Sequence, residues 1–208
     1  MLVATCVLVA IPAAGAITGQ GPTPLPRPEV GKTVNALLIA GKVRYRPPGA
    51  DAFVALTDPV QVPVGTTFDT TGGRVTLIVA SDQGTTENAW FYEGTFTVDQ
   101  TMGPQPITTL SLAGALPSCP KGSGRAAATT RKRKSRHLWG DGKGRFRTSG
   151  RFAAATVRGT RWVVIDRCDG TLTRVVRGSV TVRDRVRNKT VVIRAGQQYL
   201  VRRPRSSP

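Results

Sequence analysis

The chain has 208 residues, of which 39% are hydrophobic and 6% are aromatic, and it carries a net charge of +18 at pH 7. This length supports one ordinary hydrophobic core, and a charge of that size favours anionic partners. One histidine, His137, and three cysteines without a CxxC pair argue against a tetrahedral metal site, so we expect no metal and no cofactor.

Residues 1–16 are almost wholly apolar, carry no charge and end in Ala14-Gly15-Ala16, the small-x-small pattern at which signal peptidases cut. The run is shorter than a membrane span needs. We therefore predict a signal peptide cleaved after Ala16 and an extracytoplasmic mature protein, either secreted or associated with the cell envelope. Two alternatives stay open: an uncleaved anchor that would place the protein at the membrane, and lipid attachment at Cys6.

Residues 17–29 are rich in proline, glycine and threonine, which is typical of a flexible linker. A single all-β domain is predicted to follow over residues 30–201. Its first half contains apolar and alternating runs that are typical of strands. These runs cover residues 34–43, 53–64, 74–79, 89–98 and 107–112. Thr71-Gly72-Gly73 is predicted to form a tight turn.

Residues 117–150 change abruptly to proline, glycine, serine, alanine and basic residues, with Arg131-Lys132-Arg133-Lys134 at the centre. Such a run buries too little apolar area to offset its ordering entropy, so we predict a solvated basic loop inserted into the domain. The alternative is a polyanion contact. The stretch from Gly140 to Arg145 lacks the spacing of a phosphate-binding P-loop and predicts a glycine-rich turn.

Five short β-branched runs follow, at residues 155–160, 162–166, 171–176, 179–183 and 190–194. Turn pairs such as Asp169-Gly170 separate them, and no long amphipathic helix is indicated. Because arginines alternate with valines, as in Val182-Arg183, we expect arginines on the outer face of these strands. Residues 202–208 are predicted to be a disordered basic tail.

The charge is distributed unevenly along the chain. Residues 1–124 hold seven Lys and Arg against eight Asp and Glu, whereas residues 125–208 hold 23 against four. The positive field therefore belongs to the C-terminal part. For an exported protein, the polyanions within reach are cell-wall polymers, anionic lipids and extracellular nucleic acid.

Removal of the signal peptide leaves Cys119 and Cys168, which in an exported chain most simply form one disulfide. Closing a loop of about 50 residues would stabilise the fold by about 4 kcal/mol. We expect no enzyme, because His137 lies in the basic loop, where a general base would be hard to position. Asp166 and Asp169, which flank Cys168, are better explained as charge-compensating and turn residues.

Three segments share the pattern Gly, polar, apolar, polar, apolar, and they begin at Gly41, Gly94 and Gly178. A glycine that can adopt a positive φ, followed by alternation with a period of two, is typical of a turn that leads into a half-buried strand. Its recurrence predicts duplicated β units.

The segments Ala155–Trp162, Asp169–Thr171, Gly178–Val182 and Ala195–Gln197 resemble the second half of a FecR domain, a family named for the ferric-citrate regulator of bacteria. The segment Val64–Leu77 resembles the first half. The resemblance implies an extracytoplasmic all-β domain, solenoid-like or sandwich, built from duplicated antiparallel strands. Because no cytoplasmic segment precedes the apolar start, the chain is more similar to stand-alone exported members than to sigma-factor regulators.

Two functional hypotheses follow. In the first, a non-catalytic binding or sensory module at the bacterial cell envelope contacts an anionic polymer or a protein partner through its basic C-terminal half. In the second, the same residues bind nucleic acid. A purely structural domain is a third possibility. The candidate polyanion-binding residues are Arg131, Lys132, Arg133, Lys134, Arg136, Lys143, Arg145, Arg158, Arg161, Arg174, Arg177 and Arg183.

Overall fold

The computed structural model describes residues 24–116, 135–157 and 159–204. Within these ranges the chain forms fifteen strands and one short 3₁₀ helix, Asp82–Gly84. No helix there is long and apolar enough to cross a membrane. The predicted all-β fold with little helix is confirmed. The strands are β1 Thr33–Arg46, β2 Val54–Ala55, β3 Val60–Pro63, β4 Thr67–Ala80, β5 Thr86–Tyr92, β6 Thr95–Gln100, β7 Thr108–Leu112, β8 Arg136–Lys143, β9 Phe146–Ser149, β10 Ala153–Val157, β11 Thr160–Arg167, β12 Gly170–Arg177, β13 Ser179–Asp184, β14 Lys189–Arg194 and β15 Gln198–Arg202.

All of these strands belong to one sheet, in the order β14-β13-β10-β9-β7-β6-β4-β5-β8-β11-β12-β15. Strand β1 lies beside β4, and β2 and β3 lie beside β1. Among the described pairs, β7 with β9 is parallel and the others are antiparallel. A short turn joins the two end strands, β14 and β15. The result is a nearly closed, barrel-like sheet rather than a stack of solenoid coils.

Strands β1 and β4 pair along most of their length, and their register shifts at two places. Such β-bulges bend the strands that contain them. Gly41, with φ +71°, pairs with Gly73, and the register shifts on either side of this pair. A side chain on Gly73 would overlap the backbone of Ala40 and Lys42. The predicted tight turn at Thr71-Gly72-Gly73 is therefore wrong, because these residues lie within β4. The bend lets the start of β4 pair with β6 and its end pair with β5.

The core lies between two parts of the sheet that face each other. Phe91 of β5 packs against Phe96 of β6 at 5.6 Å, Phe146 of β9 at 5.5 Å and Trp162 of β11 at 6.2 Å between ring centroids. The Trp162 indole nitrogen donates a 2.9 Å hydrogen bond to the Thr148 hydroxyl of β9. Because β9 and β11 are distant in the strand order, this bond spans the core.

The predicted loop at residues 117–150 is wrong for its second half, since Arg136–Lys143 and Phe146–Ser149 are strands. Residues 117–134 lie outside the described residues. In β8, Gly140 and Gly142 face the core, where a side chain on Gly140 would overlap the fully buried Trp162 ring and one on Gly142 would overlap Ala89. The glycine-rich stretch predicted as a turn is thus strand up to Lys143, and the turn is confined to Gly144 and Arg145. The inner face of β8 carries one large side chain, the buried Leu138, followed by the two bare glycines.

The three repeated segments occupy different positions in the fold. Gly94 and Gly178 directly precede β6 and β13. Of these two, Gly178 has the positive φ expected of a turn glycine, at +77°, whereas at the other turn the positive φ belongs to Glu93. Gly41 instead lies inside β1. The segments therefore do not mark equivalent units.

The last residues of the predicted linker are held against the fold. The Pro26 carbonyl accepts hydrogen bonds from the side-chain amides of Asn35, at 2.9 Å, and Gln61, at 3.0 Å. The Arg27 guanidinium donates to the Gly84 carbonyl at 3.1 Å. Order thus begins earlier than the predicted linker end at residue 29. At the other terminus, β15 includes Arg202, which was assigned to the tail.

A buried carboxylate connects the two ends of the sheet. Asp184, at the end of β13, accepts hydrogen bonds from the backbone N–H groups of Val186 and Arg187 and from the Tyr199 hydroxyl of β15, at 3.0, 2.8 and 2.9 Å. Burial by itself raises the pKa of Asp184, but these hydrogen bonds outweigh burial and lower the pKa below its ordinary value. The ionised carboxylate therefore stabilises the closure of the sheet.

Replacement of Gly140 by alanine should destabilise the fold, because the added methyl group overlaps a tryptophan ring that is buried on all sides. We expect the free energy of unfolding, measured in urea, to fall by about 1–3 kcal/mol. Asp141→Ala, at the adjacent outward-facing position, is the control and should cost less. Equal losses in the two variants would contradict the close approach of β8 to Trp162.

Asp184→Asn should lower the free energy of unfolding by about 2 kcal/mol at neutral pH, because a charged acceptor of hydrogen bonds is lost. Since the folded-state pKa is lowered, the stabilisation is present above the unfolded-state pKa and disappears as the pH falls through the folded value. The difference between wild type and variant should therefore shrink below the ordinary carboxyl pKa of 3.8. Urea unfolding across this pH range measures it, with the exposed Asp51→Asn as control.

Candidate functional site

The candidate site is the outer surface of β4, β5, β8, β11 and β12. We call it the aromatic–arginine face. The strand register places its side chains in two neighbouring rows. One row is Arg174, Val163, Trp139, Tyr92 and Arg74, and the other is Arg177, Arg161, Asp141, Trp90 and Thr76. The face thus combines residues from both halves of the chain.

Two stacked aromatic rings lie at the centre of this face, with an arginine at each end. The Tyr92 and Trp139 rings are almost parallel, 4° apart, with centroids at 6.0 Å. The Arg74 guanidinium lies 4.6 Å from the Tyr92 ring centre, and that of Arg161 lies 5.7 Å from a Trp139 ring centre. Cations over aromatic faces are attracted by the ring quadrupole. We call these four residues the cation–aromatic ladder.

The tyrosine hydroxyl orients one arginine of the ladder. Arg161 donates through Nε and a terminal nitrogen to the Tyr92 oxygen, at 3.2 and 3.0 Å. This hydrogen bond raises the pKa of Arg161 above its ordinary value. Tyr92 itself is buried by its neighbours, at 8% exposure, whereas Trp90 in the next row is 43% exposed.

A groove of about 780 Å³ opens beside Trp90. Its walls include Asn88 of β5, Asp141 and Lys143 of β8, and Arg177 of β12. Arg177 and Asp141 form an ion pair of 2.7 Å at the rim. The groove therefore offers an exposed aromatic ring together with cations and hydrogen-bond acceptors.

The structure divides the predicted polyanion-binding residues among several locations. Lys143, Arg161, Arg174 and Arg177 lie on or beside the aromatic–arginine face. Arg183 projects from the outer surface of β13, on the other side of the core, and pairs with Asn188. Arg131, Lys132, Arg133, Lys134 and Arg158 lie outside the described residues.

Besides Arg177, two of the predicted cations in the described residues are engaged in ion pairs within the fold. Arg136 binds the Asp166 carboxylate at 2.7 Å, and Asp166 is 1% exposed. Arg145 binds Asp82 at 2.8 Å and lies 3.7 Å from Glu87. The hydrogen bond from Arg145 lowers the pKa of Asp82. The charges of Arg136 and Arg145 are thus matched locally and contribute little to a binding surface.

Sequence reasoning missed Arg74, Trp90 and Tyr92, because they lie in the nearly neutral half of the chain. An available indication was their alternation: Trp90 and Tyr92 flank the buried Phe91 in β5, so both must face outward. Two aromatic residues at consecutive outward positions of a strand are unusual enough to suggest a binding surface.

The residues considered for catalysis have other partners. Asp166 accepts from Arg136, from the Thr171 hydroxyl at 2.6 Å and from the Arg151 backbone N–H. Nε2 of His137 lies 3.7 Å from the Glu93 carboxylate. No group of His, Cys, Asp and Glu side chains in the described ranges could hold a metal ion. Cys119 lies outside those ranges, so its disulfide with Cys168 stays a prediction.

Comparison with known proteins adds no relative. No protein-family model, no curated protein and no solved structure matches this chain. The resemblance to FecR domains, the export of the protein and its binding role therefore stay predictions.

Tyr92→Phe should reduce stability, because it removes the acceptor of two Arg161 hydrogen bonds while keeping the ring. We expect a loss of about 1 kcal/mol in the free energy of unfolding, since Arg161 is exposed and water can replace the partner. Tyr45→Phe is the matched control, and its effect should stay within about 0.5 kcal/mol. Identical stabilities of Tyr92→Phe and wild type in urea would show that this hydroxyl does not hold Arg161.

Proposed function

We propose that the protein is an exported, non-catalytic binding module of the bacterial cell envelope, which holds an anionic polymer on its aromatic–arginine face. The cation–aromatic ladder carries this proposal. The stacked pair orders two guanidinium groups, and the Trp90 ring in the next row is 43% exposed. Flat apolar area and positive charge thus lie side by side, a combination suited to a polymer of charged rings.

The balance of charge on the face supports an anionic partner. The five cations Arg74, Lys143, Arg161, Arg174 and Arg177 outnumber the three nearby carboxylates, those of Glu87, Glu93 and Asp141. A cationic surface attracts polyanions over about 8–10 Å at physiological salt, and its complementarity steers their encounter. Export rests on the apolar segment 1–16 and on the resemblance to stand-alone FecR-like proteins.

A nucleic acid is the alternative ligand, since bases also stack on aromatic side chains and phosphates bind arginines. The compartment separates the two ligand classes. Mass spectrometry of the protein isolated from its source should find an N-terminus after Ala16 in an extracytoplasmic fraction. An intact N-terminus in the cytosol would contradict the envelope role and favour the nucleic-acid role.

The double variant Arg74→Gln/Arg161→Gln should bind anionic polymers more weakly than wild type, because both cations of the ladder are lost. We expect at least a roughly tenfold rise in Kd, equivalent to about 1.4 kcal/mol. Titration calorimetry with polygalacturonate, polyphosphate and single-stranded oligo(dT) would measure it.

The matched control is Arg183→Gln/Arg194→Gln, which removes the same charge from the outer surface of β13 and β14. Its Kd values should stay within about twofold of wild type. Equal weakening in both double variants would show that net charge alone drives binding. Absence of binding to all three polymers would overturn the proposed function.

A further inference from the structure

The groove beside Trp90 has the dimensions and lining of a site for a small cyclic unit. Its volume of about 780 Å³ lies within the roughly 300–1,000 Å³ of typical ligand pockets. Backbone of Gly142, Gly144 and Gly159 also lines it. A polymer lying along the cation–aromatic ladder would place one of its units here, because Trp90 and Asp141 occupy the row next to Tyr92 and Trp139.

One wall of the groove is suited to the apolar face of a ring. Trp90 is 43% exposed, more than any other aromatic side chain described in the core or the ladder. The Arg74 guanidinium, 5.7 Å from the Trp90 ring centre, restrains it from one side. An exposed but restrained indole loses little conformational entropy when a flat ring stacks on it.

The remaining lining groups are both donors and acceptors. Asn88 is exposed, and its amide can donate and accept. Asp141 accepts, and its partner Arg177 has a side chain that is 68% exposed, with further N–H groups facing solvent. No carboxylate in the described part of the chain lies within 4.0 Å of Lys143. The groove thus presents the Lys143 ammonium and the solvent-facing N–H groups of Arg177 beside hydroxyl-binding groups.

The carboxylates in the groove discriminate between classes of polyanion. Glu87 and Asp141 both line it, and like charges brought close together are destabilising. A polyphosphate has no hydroxyl donors, so it could be held by Lys143 and Arg177 but would make no hydrogen bond to the two carboxylates to offset their repulsion. A sugar ring with one carboxylate would place its charge on Lys143 or Arg177 and donate its hydroxyls to Asp141 and Asn88.

We infer that the groove binds a carboxylate-bearing sugar unit of an acidic polysaccharide. This inference rests on the proposed function and specifies the class of anionic polymer. Trp90 stacks on the ring, Lys143 and Arg177 bind the carboxylate, and Asn88 and Asp141 bind hydroxyl groups. Carboxylate recognition by Lys143 is a separate contribution from the charge of the ladder, so the two can be removed independently.

Four probes separate ring, hydroxyl and charge: polygalacturonate, neutral dextran, polyphosphate and oligo(dT). We expect polygalacturonate to bind at least tenfold more tightly than each of the other three. Trp90→Ala and Lys143→Gln should each raise its Kd roughly tenfold, which corresponds to about 1.4 kcal/mol. Met102→Ala, at another exposed apolar position, and Arg183→Gln are the controls and should leave it unchanged. Urea unfolding checks that each variant folds.

The outcomes distinguish the acidic-sugar site from the proposed function as an anion-binding module. If polyphosphate or oligo(dT) binds as tightly as polygalacturonate and binding still depends on Arg74 and Arg161, the acidic-sugar site is overturned. The proposal of an anion-binding module is then retained. Dextran binding equal to that of polygalacturonate would overturn recognition of the carboxylate. Absence of binding to every probe would overturn both proposals.

Discussion

The contact between Trp162 and the bare backbone of Gly140 determines how the two halves of the chain meet. Trp162 is fully buried, and its indole bonds Thr148 across the core. Because Gly140 leaves space for this ring and Gly142 leaves space for Ala89, β8 can lie between β5 and β11. A close-packed interior tolerates no extra methyl group at such a point. The pairing of β5, β8 and β11 in turn brings Trp90 and Tyr92 beside Arg161 and assembles the candidate site.

A net charge of +18 does not translate into a uniformly basic surface. Arg136 and Arg145 are matched by Asp166 and Asp82 within the fold, and Arg183 bonds the turn that follows its own strand. In a buried or half-buried ion pair such as Arg136–Asp166, the arginine neutralises the buried carboxylate and leaves little positive charge for a ligand. What distinguishes the aromatic–arginine face is a stacked pair of rings, Tyr92 and Trp139, with a guanidinium at each end. This geometry, rather than the abundance of arginine, defines the candidate site.

Local pattern predicted much of the fold and little of the site. Strands β10 to β14 follow β-branched runs, with Gly159, Gly170 and Gly178 at the first three turns between them, and their existence was predictable. The existence of strand β8 was not predictable. Glycines at positions 140 and 142 fit a turn, but they also fit a strand that packs against a large ring. Only the position of Trp162 in the folded protein decides between the two. Likewise, the face depends on the register of β5 against β8, which are about 50 positions apart in sequence. The alternation of apolar and polar residues within one strand does not indicate which distant strand lies beside it.

For the proposed binding role, the fixed geometry of the ladder counts together with its charge. The basic run at residues 131–134 has the highest charge density in the sequence, yet a lysine or arginine side chain loses up to about 2 kcal/mol of rotamer entropy when a ligand immobilises it. Arg161 is already held by Tyr92 and Trp139, and Arg74 by Tyr92 and Trp90. Their orientation is established when the protein folds, so a ligand meets ordered guanidinium groups at a defined spacing. A preorganised face of this kind can select among anions, whereas a run of charge attracts them all.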